Sequence, residues 1–112
     1  MIDQNLITTS NTLDGYKIIK TLGMVRGITV RSRSVIGNFA GGLQSLLGGR
    51  LSIYVDLCET SREEAFQHLL QHASDRGANA IICMRYDANE ISDGITEVLA
   101  YGTAVIAEKI NY

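Results

Sequence analysis

The chain contains two imidazoles, and they stand four residues apart, at His68 and His72. On a helix that spacing puts both rings on one side, one turn apart, with the Glu64 carboxylate a further turn back. Neutral imidazole, with or without a carboxylate, is ligand chemistry for a divalent transition metal such as Zn²⁺, Cu²⁺ or Ni²⁺. A lone i, i+4 pair lacks the third protein ligand of a tight site, which Glu64 or a neighbouring subunit would have to supply. The competing reading is a pair of solvated or interface histidines. The two cysteines, Cys58 and Cys83, are too far apart for a CxxC or zinc-ribbon pattern. Both read more naturally as buried core residues, and a soft-metal site would require the two thiols to meet across layers of the fold.

Other chemistry finds less support. The segment GNFAGGLQSLLGG over 37–49 is rich in glycine, but Leu43-Gln44 stand where a phosphate-binding loop needs Lys and Ser/Thr. Ser61 and Ser74 lie near the histidines without a nucleophile elbow or a triad pattern. Glu63 and Glu64, adjacent on a helix, point in different directions. No catalytic residue is assigned, and an enzyme would need a site built between subunits. The formal net charge of −2 hides a division along the chain. Residues 16–55 hold Lys17, Lys20, Arg26, Arg31, Arg33 and Arg50 and no acid, whereas ten acids crowd residues 56–112. The basic residues are sparse and not interleaved with aromatics, so no nucleic-acid partner is expected. The two parts are expected to meet each other, within a subunit or between subunits.

The elements that would position these groups follow from length and pattern. At 112 residues, 46% hydrophobic and 20% charged, the chain fits one domain, residues 1–112. It has no apolar run of about 18 residues and no signal-peptide pattern at MIDQNLITTS, so no membrane partner and a cytoplasmic location are expected. Tyr16–Ser32 reads as a strand, with Gly23 and Gly27 marking a bend or bulge. The glycine-rich segment reads as a loop or weak helix closed by Gly48-Gly49. LSIYVDL over 51–57 alternates like a strand, with a capping box at Thr60/Glu63 or Ser61/Glu64 to follow. The rival is a single helix over about 52–76, free of Gly and Pro, with Leu51, Val55, Cys58, Ala65, Leu69 and Ala73 in one stripe. Residues 78–87 read as a strand with Ala80, Ile82, Met84 and Tyr86 on one face. A polar connection over 88–94 leads to a strand over Ile95–Lys109, whose Val98, Ala100, Gly102 and Ala104 make a smooth face. A helix of such length, about 37 Å, needs long strands beneath it. The result is a two-layer α+β fold, one helix packed across an antiparallel sheet, with a second sheet face left open for self-association.

Taken together, Gly48-Gly49-Arg50 with Tyr54, then Arg62-Glu63-Glu64-Ala65-Phe66, Gly77-Ala78-Asn79-Ala80-Ile81 and Tyr101-Gly102-Thr103-Ala104-Val105 resemble the YbjQ-like proteins of bacteria and archaea. The resemblance spans nearly the whole chain. It implies one long helix bracketed by Gly49 and Gly77, and a dodecin-like subunit assembled into a ring-shaped homo-oligomer, a pentamer. It also implies the heavy-metal binding for which that family is labelled. Three positions depart from the family pattern: Val55 where an acid is expected, Asn79 where Asp is frequent, and Cys83 where a small residue such as Gly is usual. The function expected is thus a ring-forming binder of a small ligand or metal, with a purely structural or interaction module as the alternative.

Overall fold

In the computed structural model, which describes residues 2–32 and 50–111 and the side chains of 2–32 and 55–111, a short 3₁₀ turn at Gln4–Leu6 precedes strand β1, Tyr16–Ser32. Helix α1 spans Arg50–Asp75, and strands β2, Ala80–Ser92, and β3, Ile95–Lys109, complete the order. The glycine-rich segment over 37–49 lies outside the described residues. The sheet is antiparallel with order β1-β3-β2, and α1 packs across it. The molecule measures 58 × 28 × 20 Å. Strand β1, 17 residues and about 56 Å long at 3.3 Å per residue, sets that elongation, and the 26-residue helix covers about 39 Å of it.

Residues 51–57 belong to α1 and are not a strand. Gly and Pro are missing from Arg50 to Arg76, so nothing interrupts the helix once started. Its end is sharp. Gly77 takes φ +83°, Ala78 N–H donates to Ala73 O at 3.1 Å, and Gly77 N–H donates to Ser74 O at 2.9 Å. These two bonds are the Schellman pair that satisfies the last carbonyls of a helix.

The core lies between α1 and the sheet: Ala65, Leu69, Leu70 and Ala73 of the helix against Val25, Val98, Ala100 and Ala104 of the strands. Gly27 is not a bulge. A Cβ there would collide with Ala65 O and Leu69 N and come within 2.9 Å of His68 C, so the residue lets the helix backbone rest on β1. Gly23, by contrast, sits at a register shift with φ +99°, a bulge as its position suggests. The expected apolar stripe is only partly buried. Val55 is 57% exposed and Cys58 is exposed, because beyond Ser61 a cleft opens between the first half of α1 and the sheet.

β2 runs five residues further than its apolar pattern indicates, to a two-residue turn at Asp93-Gly94. Its faces also differ from simple alternation. Cys83 adopts φ +55°, and the register with β3 shifts between Ile82 and Arg85. Ala80 and Ile82 therefore face away from the helix, while Met84 joins the core under it and Tyr86 meets Arg62 of α1. That left-handed conformation costs a non-glycine residue about 1–2 kcal/mol.

The N-terminal segment closes one edge of the sheet. Thr8 N–H donates to Ile81 O at 3.0 Å, Met84 N–H to Thr8 O at 2.9 Å and Cys83 N–H to Ser10 O at 2.9 Å. Arg85 Nη1 fastens the same segment by donating to Thr9 O at 2.6 Å. Leu13 then covers Ala80, Val105 and Ala107 on the face opposite α1.

Candidate functional site

Four side chains spaced four residues apart on one side of α1 and its C-terminal end meet the outer edge of β1. Glu64 Oε2 accepts from Arg31 Nη2 at 2.6 Å. His68 Nδ1 lies 2.9 Å from Ile28 O. His72 Nδ1 lies 3.1 Å from Arg26 N and 3.2 Å from Arg26 O. Arg76 Nη1 donates to Met24 O at 3.1 Å and Leu22 O at 3.3 Å. β1 is an edge strand, and its even-numbered residues turn their N–H and C=O groups away from β3. The helix supplies partners for that row, which would otherwise stand open to another strand. The i, i+4 spacing that suggests a metal site thus also serves the backbone of β1. Arg76 and Arg31 are members of the row that motif reading misses, although the four-residue step from Glu64 through Arg76 is visible in the sequence.

For a metal, the important consequence is which nitrogen stays available. His68 is exposed, and as a donor to Ile28 O it carries its proton on Nδ1, which leaves Nε2 with a lone pair. A backbone carbonyl holding the far nitrogen is also the common arrangement behind a metal-ligating histidine. His72 has two choices. Accepting the Arg26 N–H puts its proton on Nε2, while donating to Arg26 O frees Nε2 for a ligand bond. Glu64 is held by Arg31, so its carboxylate would have to be released or shared. Among the described residues, no group of three or more His, Cys, Asp or Glu is arranged to hold a metal ion.

The cysteines are not brought together. Cys58 lines the cleft of about 260 Å³ with Leu57, Ser61, Arg62, Ala88 and Val98. Cys83 is five residues from Ala88 along β2, about 16 Å of strand, and its N–H is held by Ser10. Beside the cleft, Arg62 sits 5.7 Å from the centre of the Tyr86 ring. Burial, followed by the nearby Glu63 carboxylate, raises the Tyr86 phenol above its ordinary pKa against the opposing pull of Arg62. Asn79 is a structural residue: its Nδ2 donates to Ala107 O at 2.8 Å and its Oδ1 accepts from Ala107 N at 2.8 Å. An aspartate there could make only the second bond.

A three-stranded antiparallel sheet with one long helix laid across it, its edges sealed by side chains and by the N-terminal segment, defines a small α+β class. The chain belongs to the YbjQ-like family, whose model, described as "Putative heavy-metal-binding", matches residues 5–108. A UPF0145 protein of Chromobacterium violaceum is 54% identical over 98% of this chain and 94% of its own length. Another, from Solibacter usitatus, is 52% identical over 94% of each chain. In fold, the chain is similar to a crystal structure of a protein of the DUF74 family from Pediococcus pentosaceus. That match has a TM-score of 0.58 at 21% identity and covers 91% of this chain and 96% of the other. No described helix is long and apolar enough to cross a membrane.

Proposed function

We propose that this protein is a non-enzymatic, ring-shaped homo-oligomer, five subunits to a ring, that binds a divalent transition metal through His68 and His72. The observation that carries the reading is the tethering of both Nδ1 atoms to the backbone of β1. It orients two imidazoles one helical turn apart, with Nε2 available on His68 and, when His72 donates to Arg26 O, on His72 as well. Two nitrogens make a weak site, and the remaining ligand comes from Glu64, once freed from Arg31, or from a neighbouring subunit. The family's description supports the metal, and the half-open sheet face supports assembly. A subunit of this kind works in the cytoplasm with itself as partner.

Titration calorimetry with Zn²⁺ tests the reading. Binding is expected in the wild-type chain, lost in His68→Ala/His72→Ala, and retained in Cys58→Ser/Cys83→Ser. Acidifying the solution should weaken it, because protons compete with the metal for its ligand nitrogens. Equal heats for the wild-type and histidine variants would remove the site from α1. Loss only in the cysteine variant would move it to the thiols.

A further inference from the structure

Among the described residues, the sheet face opposite α1 is covered over only half its length. Toward Ala80 it is covered by Leu13 of the N-terminal segment. Toward the β2–β3 turn, Met24, Ile28 and Val30 stand 64%, 40% and 48% exposed. Alternation puts these three on the side away from α1, since Val25, Gly27 and Thr29 between them are buried. Across the ladder they pair with Thr103, Leu99 and Glu97 of β3, with Tyr101, the partner of Arg26, between the first two. An aliphatic stretch of this kind marks an interaction surface. The outer edge of β1 is already bonded by the helix from Leu22 to Ile28. A partner at this strand must therefore come onto the face and not add to its edge.

The charges on the face indicate which partner. One row across the sheet reads Arg26, Tyr101, Arg85, and the next reads Ile28, Leu99, Asp87. A cationic row thus lies beside an apolar row that ends in an acid, about 7 Å away along the strands. We propose that this face packs against the same face of a second copy of this chain, with the strands reversed. A two-fold axis between the rows sets Tyr101 against Leu99 of the partner subunit and Arg85 against Asp87 of the partner subunit, each twice. The apolar row of each copy then lies over the cationic row of the other at the usual sheet-to-sheet spacing of about 10 Å. The inference rests on the homo-oligomer reading above and adds to it. The contact is isologous, so it joins rings in pairs and does not close one.

Native mass spectrometry of the full chain tests it. The wild-type protein should show an even subunit count. Ile28→Asp/Val30→Asp alters two exposed positions and should keep the wild-type helical circular dichroism while halving that count. Asp87→Arg, which sets two cations face to face, should weaken pairing, and Arg85→Asp/Asp87→Arg should restore it. Val55→Asp, on exposed helix surface, should leave the count unchanged. A wild-type ring of five alone, or an Ile28→Asp/Val30→Asp assembly of wild-type size, would overturn the face-to-face contact and leave the ring reading standing. A monomeric wild-type protein would overturn the homo-oligomer reading itself.

Discussion

Thr29 is 5% exposed, and its Oγ1 is a buried hydroxyl with no hydrogen-bond partner among the described residues. It sits on β1 opposite Val98 and beneath the helix. A buried polar atom left unpaired costs about 1–3 kcal/mol, and valine has nearly the same shape with a stronger strand preference. Thr29→Val should therefore stabilise the fold by about 1 kcal/mol, read as a higher midpoint in urea unfolding. An unchanged or lower midpoint would show that the hydroxyl has a partner in solution. At this scale the sequence reveals spacing and conceals engagement. His68 and His72 are plainly a helical pair in the sequence, and Glu64 plainly precedes them by a turn. That their partners are Ile28, Arg26 and Arg31 depends on β1 lying at the sheet edge under α1, a relation across more than thirty residues that no local pattern carries. Cys58 fails as a core residue for a related reason. Its place in the stripe is correct, but the sheet lies against only the later turns of the helix.

Glycines at the helix–sheet contact decide how close the two layers come. At Gly27 an added methyl has no room, since its obstacles are Ala65 O and Leu69 N, backbone atoms of α1 that cannot rotate away. Gly27→Ala should lift the helix from β1 and destabilise the protein by about 3 kcal/mol, the upper range for overpacking. The loss would appear as a lowered urea midpoint, and a change within about 0.5 kcal/mol would mean the helix does not rest there. The elements themselves are legible to different degrees. β1 and β3 have the bounds their apolar alternation indicates, Tyr16–Ser32 and Ile95–Lys109. The stretch 51–57 satisfies both a period of two and a helical period, and only the family resemblance separates them. In β2 the error has a single origin. Cys83 in a left-handed conformation shifts the register, and Met84 and Tyr86 consequently turn to the helix side while Ala80 and Ile82 do not.

For the whole molecule, the division of charge along the sequence becomes a division in space. β1 carries Lys17, Lys20, Arg26 and Arg31 without an acid, and the helix lies along it with Glu64 on Arg31. The basic and acidic parts do meet within the chain, at the Arg31–Glu64 ion pair. The chain, 58 × 28 × 20 Å, exposes Met24, Ile28 and Val30 on one sheet face, and its two histidines form no three-ligand metal site among the described residues. The assembly and the metal site proposed above meet where a neighbouring copy supplies the third ligand. Native mass spectrometry of untagged protein, with and without added Zn²⁺, measures both in one spectrum. A homo-oligomer that holds metal on His68 and His72 should appear at a multiple of 12.2 kDa and retain zinc. A 12.2 kDa monomer, or an assembly that takes up no metal, would contradict that proposal.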